Sequence, residues 1–366
     1  MNKKKYHVNP KTGDVAECEA TVAMCPHGAS NHASTPEAAR AIYEFNQRSS
    51  VFKPASLRSS GQKRLNRKIL QVVNSNDSLR REGIIQRQVV QKLLDDKVQE
   101  FPKKEFDERV KYVENVTSHL VSAGFETENH FSEDFGGIRI YNEERAAIHE
   151  EILDSFRSRF DHVPNERKGL IAGGLGGAGK GTILAKLGAS EKYATINPDD
   201  VKEEMAARGL VPEVPGLTQM EASTLIHEEA AHISRVLAAE FISQGKNVNY
   251  DTTLGGLRSG ISKAQGLKDS GYTVEAVFVD ITVDRSAERA ESRYLYGMSE
   301  YLRSGGTGVG GRPVPKSVNH PSEYDRKSQN ADNLAEMISM RLFDGEPEIW
   351  DNMGKEPVKM PVSSIL

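Results

Sequence analysis

The sequence has few of the features that mark secreted and membrane proteins. Its 366 residues contain two cysteines, Cys18 and Cys25, which are too few for a disulfide framework and favour a reducing compartment. No apolar run approaches the length of a membrane-spanning helix. The positively charged N-terminus is not followed by the apolar core of a signal peptide. We therefore expect a cytoplasmic protein that has no membrane partner.

A strong excess of charge of one sign is also missing. The chain carries 48 lysine and arginine residues against 52 aspartate and glutamate residues, for a net charge of -4. This balance does not favour a general binder of nucleic acid or of membranes. Residues 51–72 are a local exception, with several basic residues and no acidic one. Such a run could contact a phosphate backbone or an acidic partner, although we favour a solvated face.

The first residues of the chain include side chains of the types that zinc prefers. These side chains are Cys18, Cys25, His27 and His32. Their spacing fits no standard zinc finger, so we favour the alternative of buried thiols beside surface histidines.

Chain length and pattern predict two domains and a tail. Residues 1–135 are predicted to form a mostly helical accessory region, because apolar residues recur at helical spacing in 78–99 and 104–123. Short apolar or β-branched runs follow at 170–172, 193–197, 247–250 and 274–280, with helical material between them. This alternation predicts an α/β domain over residues 136–345, with a parallel sheet flanked by helices. Residues 346–366 are predicted to be a C-terminal tail.

A glycine-rich stretch joins the first of these strands to a helix. Four residues separate Gly174 from Gly179, and Lys180 follows directly. This is the spacing of a phosphate-binding loop. Glycine permits positive φ angles, so successive backbone amides can surround phosphate oxygens. The residues predicted to bind the phosphates of ATP are Gly174, Gly176, Gly177, Ala178, Gly179, Lys180, Gly181 and Thr182. The hydroxyl residue stands one position later than usual, so a contact between Thr182 and magnesium stays an open question.

Ligands of parallel sheets bind beyond the carboxyl ends of the strands, so the residues that follow each strand are candidates for chemistry. Asp199 follows the second strand, and Asp251 and Thr252 follow the third. A kinase needs a carboxylate to accept the proton of the attacking hydroxyl and others to orient the substrate. The alternative for Asp199 and Asp200 is helix capping, and that for Asp251 is a solvated turn.

Three arginines are candidates for neutralising a transferring phosphoryl group. Arg289 and Arg293 are four residues apart on one helix face, and Arg312 lies in a glycine- and proline-rich loop. Guanidinium groups stabilise the negative charge that spreads over phosphoryl oxygens. Surface pairing with Glu288 or Glu291 is the alternative for the helix arginines.

The order of these motifs resembles the zeta toxin family of P-loop kinases over roughly residues 140–340. The resemblance implies transfer of phosphate from ATP, with magnesium, to the 3'-hydroxyl of the sugar of UDP-N-acetylglucosamine. It implies that Lys180 is the phosphate lysine and that Asp199 is the general base. Asp251 stands where the family often has a substrate-binding glutamate, and Arg312 with Arg289 or Arg293 stands for its phosphate arginines.

The resemblance also implies a second-substrate region and a protein partner. Residues 215–223 and the helix after them lie where such kinases bind the acceptor, so we predict substrate contacts from Glu221 and His227. His227 could equally be a partly buried helix residue. The family implies an antitoxin or immunity protein as partner.

Two alternative functions fit the residues. A P-loop kinase could act on a nucleoside, a polynucleotide end or another small hydroxyl compound, as the Gly181-Thr182 arrangement, similar to that of adenylate kinase, permits. A non-catalytic, nucleotide-responsive module that regulates the N-terminal region is the alternative from another class.

Overall fold

Helices dominate the N-terminal part of the structure. The computed structural model describes residues 6–9, 14–18, 32–33, 36, 39–40, 58–314 and 324–365. Its N-terminal elements are β1 (Tyr6–Val8), β2 (Val15–Glu17), β3 (His32–Ala33), α1 (Arg58–Ser75), α2 (Asp77–Asp95), α3 (Phe106–Ser122), α4 (Thr127–Phe131), β4 (Ser132–Asp134) and β5 (Arg139–Tyr141). The prediction of a mostly helical N-terminal region is confirmed for residues 58–131.

Strands and helices alternate in the rest of the chain. These elements are α5 (Glu143–Arg159), β6 (Lys168–Gly173), α6 (Lys180–Lys186), α7 (Ala189–Lys192), β7 (Ala194–Ile196), α8 (Pro198–Ala207), α9 (His227–Ser243), β8 (Val248–Asp251), α10 (Leu257–Asp269), β9 (Thr273–Asp280), α11 (Val283–Arg303), α12 (Tyr324–Ser339), β10 (Glu348–Asp351) and β11 (Val358–Met360). None of the described helices is long and apolar enough to cross a bilayer.

A six-stranded sheet lies at the centre of this alternating part, in the order β11-β10-β9-β6-β8-β7. The five strands from β10 to β7 run parallel, and β11 pairs antiparallel with β10 at one edge. Strand β6 has neighbours on both sides, and its last five residues are buried. The prediction of an α/β fold with a parallel sheet flanked by helices is confirmed.

Residues 346–366 do not form a separate tail. Strand β10 pairs with the whole second half of β9, so that Asp351 lies beside Asp280. Ile349 and Trp350 are buried against the sheet neighbours. The tail prediction is wrong because a four-residue strand with two buried apolar residues gives too short a pattern to separate from irregular chain.

The helical N-terminal region and the sheet share one hydrophobic core. Leu65 and Ile69 of α1 and Val116 of α3 belong to the same buried cluster as Ile171 of β6 and Phe278 of β9. A boundary at residue 135 therefore does not separate two cores. Helical periodicity identified the helices, but it carries no information on which partner covers their apolar faces.

Two residues of the proposed zinc site, Cys25 and His27, lie outside the described residues. Within the described part of the chain, no group of three or more histidine, cysteine, aspartate or glutamate side chains is placed to hold a metal ion. The zinc hypothesis for Cys18, Cys25, His27 and His32 stays a prediction.

Side-chain caps begin several of the helices. The side chain of Asn142 accepts a hydrogen bond from the Arg145 amide at the start of α5. The side chain of Asn197 accepts one from the Asp199 amide at the start of α8, with Pro198 in the first helical position. Asparagine is a favoured N-cap residue, and proline fits the first turn because its missing amide has no intrahelical partner. Asn197 thus caps α8, and the Asp199 carboxylate stays available for other contacts.

A buried ion pair joins the N-terminal helices to the segment between α8 and α9. Arg109 of α3 donates through Nε and Nη2 to the two carboxylate oxygens of Glu221, at 2.7 and 2.6 Å. Both side chains are almost fully buried. Glu221 also accepts from the Tyr294 hydroxyl at 2.6 Å and from the amide and hydroxyl of Thr218. One carboxylate therefore fixes α3, α11 and residues 218–221 relative to each other.

We predict that Glu221→Gln lowers the free energy of unfolding by about 3 kcal/mol, because it leaves the Arg109 charge buried without its counter-ion. Urea unfolding followed by circular dichroism measures the change. The control is Glu288→Gln in the exposed Arg285–Glu288 pair, where we expect less than about 1 kcal/mol. Equal, small effects of both substitutions would contradict the central role of the buried pair.

Candidate functional site

The glycine-rich loop lies between the end of β6 and the start of α6. Gly174, Gly177 and Gly179 have φ angles of 136°, 80° and 85°. A Cβ atom on Gly174 would lie 2.4 Å from the carbonyl oxygen of Val279 in β9. Only glycine fits this position, because the φ is positive and the neighbour is backbone that cannot move aside. The loop thus has the backbone curvature that a phosphate-binding loop requires.

The ammonium group of Lys180 lies against the carbonyl groups of the loop. Its Nζ donates to the oxygens of Gly174 and Leu175 at 2.9 and 3.2 Å. The same atom is 3.5 Å from Oδ1 of Asp251, at the end of β8. Lys180 therefore connects the loop to the carboxyl end of the neighbouring strand.

Side chains from α11 and from the end of β10 hold the outside of the loop. Arg289 donates to the Ala178 oxygen at 3.1 Å and to the Asn352 oxygen at 2.7 Å. Asn352 Nδ2 donates to the Ala178 oxygen at 2.7 Å, and Ser286 Oγ donates to that of Gly176. In this structure Arg289 stabilises the loop backbone, in contrast to its predicted role as a phosphate arginine.

Asp199 lies between two cations. Its Oδ1 is 2.6 Å from Nη1 of Arg312 and 3.2 Å from Nζ of Lys202. Burial raises the pKa of Asp199, but Arg312, Lys202 and Arg293 outweigh this effect and hold the pKa below its ordinary value. The carboxylate is therefore ionised at neutral pH.

Two further carboxylates at the strand ends have the opposite shift. Burial raises the pKa of Asp251, although Lys180 partly opposes the rise. Burial, together with Glu203 and Asp251, raises the pKa of Asp200 to about 6. Asn197 Nδ2 donates to Asp251 Oδ2 at 3.5 Å and so links the ends of β7 and β8. The pKa values of neighbouring acids are thus shifted in opposite directions, as at many catalytic sites.

Arg293 and Thr252 lie at the edge of this group. Arg293 is exposed, and its charge lowers the pKa of both Asp199 and Asp251. Thr252 follows Asp251 and accepts a hydrogen bond from the Leu254 amide at 3.2 Å. Leu254 has a φ of 57°, which is uncommon for a residue with a side chain, yet it is almost fully buried. The buried side chain holds this turn in its conformation.

The two predicted substrate residues, Glu221 and His227, differ in burial. Glu221 is fully buried, and both of its oxygens accept hydrogen bonds from Arg109, Thr218 and Tyr294. Its contacts support residues 218–221, so a direct substrate contact does not fit its position. His227 begins α9 and is exposed, and desolvation together with the charge of nearby Lys202 lowers its pKa.

Sequence reasoning missed Lys202 and Asn352. The sequence could have indicated Lys202, because this residue follows Asp199 by three positions on a helix whose start is recognisable from Asn197-Pro198. Asn352 had none, since it lies 174 residues beyond the loop carbonyl that it contacts. The structure therefore brings together Lys180, Asp199, Lys202, Asp251, Arg293 and Arg312.

We predict that Gly174→Ala abolishes the binding of a fluorescent ATP analogue, because the new Cβ would collide with the Val279 carbonyl. The matched control is Gly181→Ala in the first turn of α6, where a Cβ would meet no atom within 4 Å. Alanine is also the better helix former, so we expect the control to bind the analogue within about threefold of the original protein. Equal binding by both variants would contradict the proposed loop geometry.

One family profile matches the sequence, and several solved structures have a low overall similarity to the chain. The sequence profile of the zeta toxin family matches residues 154–352. A solved structure from the PezAT chromosomal toxin-antitoxin system of Streptococcus pneumoniae has 16% identity and a TM-score of 0.43, covering 57% of this chain and 78% of that one. The AvrRxo1-ORF1:-ORF2 structure with ATP has 18% identity and a TM-score of 0.46, covering 60% of this chain and 67% of that one.

A search of curated protein sequences finds no match. The zeta toxin profile nevertheless spans more than half of the chain, from within α5 to the end of β10, and includes the phosphate loop with Asp199 and Asp251. We conclude that this chain belongs to the zeta toxin family of P-loop kinases.

Proposed function

We propose that the protein transfers the γ-phosphate of ATP to a hydroxyl group of a nucleotide sugar, with UDP-N-acetylglucosamine as the first candidate. The main observation is that an ionised carboxylate, Asp199, lies at the same sheet edge as the phosphate-loop lysine. Asp251 and Asn197 connect the two. A hydroxyl group bound beside Asp199 would therefore lie close to the terminal phosphate of a nucleotide in the loop.

In this proposal the loop amides and Lys180 bind the β- and γ-phosphates. Lys180 exchanges its present contacts with the loop carbonyls for phosphate oxygens, which are stronger acceptors. The positive end of α6 faces the same anion. Arg289 and Asn352 keep the loop in place from outside.

Asp199 accepts the proton of the acceptor hydroxyl as the new oxygen–phosphorus bond forms. The bond between the γ-phosphorus and the bridging oxygen breaks, and ADP leaves with the bonding electron pair. Arg312 and Arg293 carry the positive charge that neutralises the transferring group. Lys202 holds the Asp199 carboxylate in place from its other side.

Magnesium is part of the proposal because the family implies it. Thr182, exposed in the first turn of α6, and Asp251 are oxygen donors of the type that magnesium prefers. Within the described residues no larger cluster of acidic side chains is placed to hold a metal ion, so the phosphates would provide most of the coordination. The ion would neutralise charge on the phosphate oxygens.

The choice of a nucleotide sugar as the phosphate acceptor rests on family membership. The position of Thr182 after Gly181 keeps a second candidate open, which is a nucleoside, a polynucleotide end or another small hydroxyl compound. An antitoxin or immunity protein as partner, and a location in the cytoplasm, are also proposed on the basis of the family.

We predict that purified protein transfers label from γ-labelled ATP to UDP-N-acetylglucosamine in the presence of magnesium. Lys180→Ala should abolish transfer, and Asp199→Asn should lower the turnover number by about 100-fold or more, since a positioned general base contributes about 10²–10⁴-fold. The control is Glu203→Gln, an exposed acid on the same helix. The acceptor panel includes other nucleotide sugars, nucleosides and 5'-hydroxyl oligonucleotides. Absence of label on every acceptor would contradict the kinase proposal.

We also predict a pH effect for Arg312→Ala. Loss of this cation raises the pKa of Asp199, so the acid limb of the kcat/KM profile should move to higher pH. Turnover at the plateau should also fall by about 100-fold, because a charge-stabilising group is lost. Arg312→Lys should restore part of both effects.

A different pH profile would change the assignment of the base. If the original enzyme shows an acid limb near pH 6 that disappears in Asp200→Asn, the base is Asp200, whose pKa is about 6. An acid limb that stays in place in Arg312→Ala would contradict the proposed coupling of Arg312 to Asp199.

A further inference from the structure

An open cavity lies on the N-terminal side of the molecule. It has a volume of about 760 Å³ and is lined mainly by α1, α2 and residues 211–219. Helix α1 contributes positions 63, 66, 67 and 70, and α2 contributes positions 87, 90, 91 and 94. This spacing corresponds to one face of each helix. The phosphate loop and Asp199, Asp251 and Arg312 do not line the cavity, so it is separate from the candidate active site.

The charge of the cavity wall is positive. Lys63, Arg67 and Arg87 line it, against a single carboxylate, Glu213. Arg109 also lines it, but Glu221 neutralises its charge. Within the part of the chain that the structure describes, none of the three remaining cations forms an ion pair with a carboxylate. Exposed cations that are grouped around one cavity without counter-ions favour an anionic ligand.

The rest of the wall favours a ligand that is more than a simple anion. Val90, Leu94, Leu217 and Tyr301 provide apolar and aromatic surface. Gln219 also lines the cavity, and its Oε1 is buried without a hydrogen-bond partner among the described residues. An apolar wall with a few placed polar groups and a volume between about 300 and 1,000 Å³ is typical of small-molecule sites.

We propose that this cavity binds a small organophosphate of nucleotide size. The guanidinium groups of Arg67 and Arg87 bind the phosphate, for which their planar geometry allows two parallel hydrogen bonds each. The organic part of the ligand packs against Leu94 and Tyr301. Lys63 and Arg67 of the basic run at residues 51–72 thereby have a specific role instead of forming a solvated face.

The wall of this cavity is also the support of the loop that carries Arg312. Thr218 packs against Gly310, where an added Cβ would lie 2.1 Å from its hydroxyl oxygen. The Met220 amide donates to the Val309 oxygen at 2.8 Å. A ligand in the cavity would therefore contact the segment on which the Arg312 loop rests.

The test is calorimetric titration of the full chain with AMP, UMP and inorganic pyrophosphate, with adenosine and uridine as uncharged controls. It is carried out in the Lys180→Ala background, so that the phosphate loop contributes little and failure of the kinase proposal does not affect the result. We expect AMP or UMP to bind, and Arg67→Gln combined with Arg87→Gln to weaken binding by tenfold or more. The matched control is Arg64→Gln combined with Lys68→Gln, exposed residues that do not line the cavity, and binding should stay within twofold.

Several outcomes would overturn the proposal. They are no binding of AMP or UMP at millimolar concentration, and equal weakening of binding by both double variants. Binding by the original protein that disappears with Lys180→Ala alone would place the ligand at the phosphate loop and would equally overturn the second site. Circular dichroism and thermal unfolding confirm that each variant is folded.

Discussion

The buried ion pair between Arg109 and Glu221 fixes the N-terminal helices against the α/β part of the molecule, with which they share one core. Arg109 belongs to the N-terminal helices, whereas Glu221 belongs to the connection between α8 and α9. Tyr294 joins the same carboxylate from α11, one residue after Arg293. Removing two charges from water carries a large desolvation penalty, so such a pair is stable only when further hydrogen bonds satisfy it. Glu221 meets this condition, and the position of residues 218–221 depends on it.

At the candidate site, the charges of three aspartates are balanced unequally by nearby cations. Asp199, Asp200 and Asp251 lie close enough to influence one another, yet only Asp199 has a lowered pKa. The difference arises because Arg312 and Lys202 contact Asp199 directly, whereas burial dominates at the other two acids. One short stretch of sequence, Asp199-Asp200, therefore contains one carboxyl group with a lowered pKa and one whose pKa is raised to about 6.

Local patterns in the sequence predicted the parts of the structure that local forces determine. The phosphate loop could be recognised because its strand, its glycines and Lys180 are adjacent in the chain. The parallel sheet could be predicted from alternating short apolar runs. The positions of Lys180, Asp199 and Asp251 at one edge of that sheet then followed from topology, whereas Arg312 was a candidate because of its glycine- and proline-rich loop.

The predictions that the structure does not support concern contacts between distant residues. From the sequence, Glu221 was predicted to contact the substrate. Its actual partner, Arg109, lies 112 residues earlier in the chain. Arg289 shares a helix face with Arg293, but contacts with Ala178 and Asn352 direct it to the loop backbone. Strand β10 is too short to show a pattern of its own and is fixed by pairing with β9. Side-chain partners of this kind are invisible to periodicity and spacing.

The hydrogen bond between Asn352 and the Ala178 carbonyl has a consequence for the order of events during synthesis. The ribosome makes the glycine-rich loop 174 residues before it makes Asn352. The neighbouring strand β10 also joins the sheet only after nearly all of the kinase part has been translated. A nascent chain therefore has the loop sequence long before the loop has its final support. The loop therefore lacks its Asn352 contact while the next 174 residues are being made.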